Sequence, residues 1–345
     1  MNHTTVGVDL AKETIQVCQV AANKVLMNRD MAPKQFTRWL ATHKPARVIF
    51  EACATSNYWQ QRALEAGHDA RLISAKLVAQ VRQNQKTDKN DALAIVQASQ
   101  LTGIQYIHGK TVEQQELQTL MRLRELSVKQ RQALGQQLEA LLLEFNIRVS
   151  AKAGGLSAVV QRVLEDADNG FAAPFRSALH TAWQAYLSMT THIREYTRSL
   201  KQAIEDHDEC KKLLALEGVG EINAVNLYIA LGCGEAGVFN TGRDAAACLG
   251  VTPTQYSSGG KTQLGSIKKF VKKGAIRSHL IVGAMAVVAQ VVKREPRTAK
   301  EQWLKGLAER RGKKCAAVAL ANKTVRTAFA MLNNGTLYSA QPLAE

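Results

Sequence analysis

Four carboxylates in the first third of the chain offer the most chemistry. Asp9 sits inside V-G-V-D-L, Glu51 closes the apolar run V-I-F-E, and Asp88 and Asp91 stand three residues apart in K-T-D-K-N-D-A. A carboxylate amid valine, glycine and leucine is expensive to bury unless it points out of a strand end or binds something. Singly, each has an ordinary role: Asp9 and Glu51 as solvated strand ends, Asp88 or Thr87 as a helix N-cap. Gathered by a sheet and a helix, four acids would repel one another and hold protons more tightly, unless divalent cations neutralise them. Hard oxygen donors suit Mg2+ or Mn2+, and two such ions about 4 Å apart can activate an attacking oxygen and stabilise a leaving one at phosphorus. That is nuclease or strand-transfer chemistry.

A second centre is Y-S-S-G-G-K, from Tyr256 to Lys261. Two serines before two glycines read as a tight turn. An exposed hydroxyl beside a lysine can also attack a phosphodiester when a base, metal or cation activates it, which makes Ser258 and its neighbour Ser257 candidate nucleophiles. Lys261 and Arg277 either clamp a phosphate or belong to a solvated basic surface. Gly218-Val219-Gly220, between two apolar helical turns, is either a helix-hairpin-helix element whose backbone N–H groups meet a phosphate or a plain helix–helix turn.

The elements that must position these residues follow from periodicity. Val6, Val8 and Leu10, then Ile15 and Val17, alternate as two paired strands; A-R-V-I-F-E reads as a buried strand and R-L-I-S as a short one, with helices around 34–42 and 58–66. Strands alternating with helices predict an α/β sheet domain over residues 1–111. From Val112 the chain turns to Gln, Leu, Glu and Arg, with Leu117, Leu138 and Phe145 on one heptad position and Leu120, Leu134 and Leu141 on another. Ser127, Arg124 and Arg131 interrupt that seam, so residues 112–208 read as a short coiled coil or helical hairpin, serving as a spacer or a dimer interface. Residues 209–345 form a third, mainly helical domain: a small helix near 243–249, a serine loop, an apolar helix over 275–293 and a basic helical tail.

The 345 residues are 46% hydrophobic and 21% charged, an ordinary composition for a folded soluble protein, and carry a formal charge of +16. The charge is uneven. From residue 261 onward there are 17 Lys or Arg against four Asp or Glu, whereas the first 260 residues hold 28 against 25. Such a block attracts polyanions and binds them in a salt-dependent way. Lys268, Lys269, Lys272, Lys273, Arg310, Arg311, Lys313 and Lys314 are its candidate nucleic-acid contacts. Six cysteines show no Cys-x-x-Cys pair, and His207-x-x-Cys210 lacks a second pair, so zinc is not expected. No lipidation signal or apolar leader is present, and Ile281 to Val292 is too short to span a bilayer, which predicts a cytoplasmic protein with reduced thiols and no membrane partner.

V-G-V-D-L-A-K-E, F-E-A-C, K-T-D-K-N-D-A, E-G-V-G-E and L-G-V-T-P-T-Q-Y-S-S-G-G-K, in that order, resemble the DEDD transposases of bacterial insertion sequences in family one-ten, and most its eleven-eleven subgroup. The match runs over essentially the whole chain. The resemblance implies a RuvC-like (RNase H-like) N-terminal domain, a coiled-coil insertion and a C-terminal transposase domain. It places the metal-binding tetrad on Asp9, Glu51, Asp88 and Asp91 and the catalytic serine on Ser258. It further implies a noncoding bridge RNA that pairs with donor and target DNA, and a dimer that becomes a tetramer on DNA, with the tetrad of one subunit meeting the serine of another. Cys53-Ala54-Thr55 departs from relatives that carry a glycine soon after Glu51. Two other readings stand beside the recombinase: a RuvC-like nuclease or junction resolvase that needs no serine, and a non-enzymatic nucleic-acid-binding protein.

Overall fold

The computed structural model describes residues 4–232, 239–267 and 274–342. The chain divides into two compact units, Met1–Gln115 and Glu116–Glu345.

The first unit runs β1 (Thr5–Leu10), β2 (Ile15–Ala21), β3 (Lys24–Met31), α1 (Pro33–Thr42), β4 (Arg47–Glu51), α2 (Ser56–Glu65), β5 (Asp69–Ile73), α3 (Ala75–Val81) and α4 (Asp88–Ser99). Its five strands lie in the order β3-β2-β1-β4-β5. β2 is antiparallel to both its neighbours, and β4 is parallel to β1 and β5. The period of two along each strand decides what faces what. Val6, Val8, Val48 and Phe50 point to one face and pack with Phe36 of α1 and Trp59 of α2. Ile49 and Ile73 point to the other and pack with Val78 of α3 and Ile95 of α4. β3 and α3 were not expected from the sequence. Val25 and Leu26 of β3 are exposed on an edge strand, so β3 carries no buried alternation to read.

α5 (Val112–Glu144) leads into the second unit, followed by α6 (Gly155–Glu165) and α7 (Ala173–Asp206). α5 and α7 form an antiparallel hairpin. Leu138 and Leu142 late in α5 share a core with Leu179 and Trp183 early in α7, whereas Leu117 and Met121 early in α5 share one with Leu200 and Ile204 late in α7. The expected seam holds in part: Leu117 and Leu138 are buried, but Leu141 and Phe145 are exposed. Arg124, an interruption in the sequence pattern, bonds across the hairpin from Nε to Thr197 Oγ1 at 2.9 Å.

The rest comprises α8 (Asp208–Lys212), α9 (Glu221–Ala230), α10 (Gly242–Cys248), β6 (Pro253–Ser258), β7 (Lys261–Ile267), α11 (Gly274–Val291), α12 (Ala299–Arg311) and α13 (Lys313–Asn334). Leu227, Val251, Val288, Leu304 and Val325 meet in its core. The apolar run near 281–292 is longer as a helix than as a sequence. By length and composition α11 suffices to cross a membrane, but it seats Leu280, Ala284, Val288 and Val291 in that core beside α9 and α13. The expected serine loop is instead an antiparallel ribbon of β6 and β7. Nearly every ribbon residue is exposed, so no apolar alternation announces the strands.

Candidate active site

Asp9 and Glu51 come side by side, with Asp91 near both and Asp88 near Asp9, because two periodicities agree. Asp9 follows Gly7 by two residues on β1, and Glu51 follows Ile49 by two on β4, so both take the face that α4 covers. β1 and β4 are parallel and paired up to Val8 opposite Phe50, which leaves Asp9 and Glu51 side by side at the same strand ends. Such ends are where open α/β sheets bind ligands. α4 can lie close only because residue 7 is glycine: a Cβ there would stand 2.3 Å from the Ala92 carbonyl oxygen and 2.8 Å from Val96 Cγ2.

The N-cap of α4 is Thr87, whose hydroxyl accepts from the Asn90 N–H. Asp88 is therefore not consumed as a cap. It is exposed in the first turn, and Asp91 is buried one turn on. Burial raises the Asp9 carboxyl above the usual range, and the charges of Asp91 and Asp88 raise it further. Burial also raises Glu51, helped by Asp9 and Asp91. Lys86 opposes both shifts, and Arg82 opposes that of Glu51. Groups that repel one another in this way are those a divalent cation would relieve, so oxygen donors and charge fit Mg2+ or Mn2+. Among the described residues, however, no three His, Cys, Asp or Glu side chains draw close enough to hold a metal ion.

Sequence reasoning missed Arg82, Gln16 and Asn28. Arg82 donates from Nη1 to Asp91 Oδ1 at 2.7 Å, with both side chains largely buried. Gln16, paired with Asp9 in the ladder, is buried and donates to Asn28 at 2.8 Å, while Asn28 donates to the Lys89 carbonyl at 3.0 Å. This polar chain ties the first turn of α4 to the sheet. A glutamine inside the apolar alternation of β2 was its sequence signal.

Ser258 belongs to the second unit. It ends β6 opposite Lys261, and Gly259 and Gly260 close the ribbon with φ of 54° and 76°. Two consecutive positive φ values are what a two-residue hairpin turn requires and what glycine supplies. Tyr256, Ser257 and Ser258 are all exposed. As consecutive strand residues, Ser257 and Ser258 take opposite faces of the ribbon, and Ser258 shares its face with Lys261.

Gly218 and Gly220 differ in kind. Gly218 has φ of 77°, and a Cβ on it would lie 2.9 Å from the Gly283 carbonyl, so packing on α11 accounts for it. Gly220 caps α9 with open space around it. Arg277 is half-buried in the first turn of α11. Arg310 and Arg311 end α12, Lys313 and Lys314 begin α13, and all four are exposed. Lys268, Lys269, Lys272 and Lys273 lie outside the described residues.

Comparison with known proteins gives these arrangements a lineage. Residues 6–147 match the IS110-type DEDD transposase family, and residues 210–301 match the family described as Transposase IS116/IS110/IS902. The chain is 32% identical to the transposase for insertion sequence element IS1111A of Coxiella burnetii, covering 96% of this chain and 90% of that one. It is 31% identical to the transposase for insertion sequence element IS1328 of Yersinia enterocolitica over 98% of this chain and 99% of the other. A pilin gene-inverting protein of Moraxella bovis is 22% identical over 83% of this chain and 84% of its own length. Two matched segments, one holding all four acids and the other Ser258, together with relatives aligned nearly end to end, establish that the chain belongs to the IS110/IS116 family of insertion-sequence transposases.

Proposed function

We propose that this transposase cuts and rejoins DNA through a covalent bond between Ser258 and a DNA phosphate. The observation that carries the reading is the setting of Ser258: an exposed hydroxyl at the tip of a ribbon, one residue before a glycine turn and facing the same way as Lys261. A serine that served packing would not stand there. Its Oγ attacks phosphorus, its proton passes to a base, and the bond to the 3′ oxygen breaks to leave a 3′ hydroxyl. When a 3′ hydroxyl of the partner strand attacks the phosphoserine, the serine is regenerated and phosphodiester energy is conserved. Asp9, Glu51, Asp88 and Asp91 would hold Mg2+ or Mn2+, which supplies charge stabilisation at the phosphorus and the leaving oxygen. Lys261 offsets phosphate charge during attack.

The sheet order β3-β2-β1-β4-β5, with β2 alone reversed, supports a RuvC-like assignment of the first unit. Guidance by a bridge RNA suits a basic protein that holds backbone and leaves sequence to base pairing. Exposed Leu123, Leu126, Leu141 and Leu143 on α5 support a dimer through the helical hairpin, enlarged to a tetramer on donor and target DNA. The site of action is the bacterial cytoplasm, at the nucleoid.

The test combines a denaturing gel with a strand-exchange assay. Wild type should leave a protein–DNA adduct that Ser258→Ala abolishes, and both Ser258→Ala and Asp9→Ala should stop exchange. Ser257→Ala, on the other face, should keep both. Metal-dependent cleavage that survives Ser258→Ala without an adduct would make the chain a RuvC-like nuclease instead. Sequencing the RNA that co-purifies tests the guide.

A further inference from the structure

Beside the ribbon, the second unit holds a broad cleft of 1360 Å³ between α10, α13 and the base of the β6–β7 ribbon. One wall is a single face of α13, where Ala319, Lys323, Arg326 and Ala330 recur at helical spacing, while Leu320, Val325 and Ala328 are buried on the opposite face. The alanines leave room on either side of the two cations. Arg243 of α10 adds a third cation, and the neighbouring Gly242 abuts the Arg326 backbone, where a Cβ would stand 3.3 Å from Arg326 Cα. Trp303 and Phe329, half-buried against the core, supply an aromatic floor, and Lys323 Nζ lies 4.9 Å from the Trp303 ring centroid. Among the described residues, no Asp or Glu lines the cleft. The ion pairs among the described residues engage none of the three cations.

Cations on a rim over an aromatic floor suit a strand whose bases are unstacked. A duplex hides its base faces and would use the phosphates alone, whereas a single strand offers backbone charge and base surface together. The ribbon fixes where that strand lies. Gln255 and Leu264, a cross-strand pair, line the cleft, and Ser258 is three residues farther along β6. At about 3.3 Å per residue that is ~10 Å, the rise of about three stacked nucleotides.

We propose that this cleft binds an unpaired DNA strand flanking the cleaved phosphate, with Arg243, Lys323 and Arg326 on its backbone and Trp303 and Phe329 against its sugars and bases. The choice of DNA and of the flanking position rests on Ser258 as the nucleophile; the binding chemistry does not.

Cys315 lines the cleft and is exposed, and Cys248, also exposed, does not line it. Alkylation of each thiol in the full chain is followed by mass spectrometry with single-stranded DNA, duplex DNA or RNA of the same sequence. Single-stranded DNA should slow Cys315 severalfold and leave Cys248 unchanged, and duplex should protect it less. In parallel, the Arg243→Ala/Lys323→Ala/Arg326→Ala variant, if its melting is unchanged, should lose about 2 from the slope of log affinity against log salt, at ~0.7 per phosphate contact on a single strand. An unprotected Cys315 under saturating DNA, stronger protection by RNA, or an unchanged slope in a folded variant overturns the proposal. Should the variant not fold, the alkylation of wild type decides alone. Assaying wild type and Ser258→Ala for the adduct beside these readouts separates the two readings: no wild-type adduct, or one that survives Ser258→Ala, with Cys315 still protected sinks the nucleophile and spares the cleft, and a wild-type adduct that Ser258→Ala abolishes, with Cys315 unprotected, does the reverse.

Discussion

Gly7→Ala adds one methyl group in the ladder two residues before Asp9, and it should damage the proposed active site without touching any acid. The new Cβ would sit 2.3 Å from the Ala92 carbonyl oxygen, against a practical limit near 3.0 Å, so β1 and α4 must part by about 0.7 Å. The near neighbours are backbone and a β-branched valine, neither of which can swing aside. Overpacking of this kind costs about 1–3 kcal/mol. The same displacement moves Asp88 and Asp91, which ride on α4, away from Asp9 and Glu51 on the sheet. A misplacement approaching 1 Å costs catalysis on the order of a hundredfold. Thermal melting of the full chain and the rate of strand exchange should therefore fall together. Gly306→Ala, inside α12 with open space around the site, is the control for added bulk and should lower neither. A Gly7→Ala protein that melts and recombines like wild type would refute the claim that helix–sheet contact at this glycine sets the tetrad.

Burial and mutual repulsion raise both Asp9 and Glu51, so their protonated forms favour the fold and their charged forms oppose it as pH rises through the folded values. Asp9→Asn and Glu51→Gln should consequently raise the melting temperature at neutral pH without divalent cation, and the gain should vanish as pH falls below the unfolded carboxylate range; equal melting at pH 7 would contradict this. Arg82→Ala leaves buried Asp91 without its cation and should cost about 3 kcal/mol in a denaturant titration, the low end for a broken buried pair. Mg2+ should restore more stability to that variant than to wild type, read as the shift in melting temperature. Replacing Arg310, Arg311, Lys313 and Lys314 by alanine should lower the salt slope of duplex binding by about 3.6, at ~0.9 per phosphate contact; an unchanged slope would leave these four in solvent.

Legibility in the sequence tracked the buried faces. β1, β2, β4 and β5 show themselves because Val6 and Val8, or Val48 and Phe50, alternate with residues of the other face, and the same alternation carries Asp9 and Glu51 to one side. The ribbon of β6 and β7 and the edge strand β3 bury too little to leave such a pattern. Thr87 or Asp88 as cap could not be decided from type alone, since both suit the position; geometry gives it to Thr87 and releases Asp88. Arg82 reaches Asp91 across nine positions of polar chain, a link that exists only once α3 and α4 have packed. Gly218 read equally as a phosphate-binding glycine or a plain helix–helix turn, and its packing against Gly283 lies 65 positions away, beyond any local reading.

A two-stranded ribbon with no core beneath it is marginal in water, and the β6–β7 ribbon exposes almost every side chain it has. If its tip carries the cutting group, the aim of that group is supplied from outside, by whatever nucleic acid the enzyme is gripping. An idle copy then poses little danger to the host chromosome, since a passing duplex held too briefly to stiffen the ribbon never meets a well-directed attack.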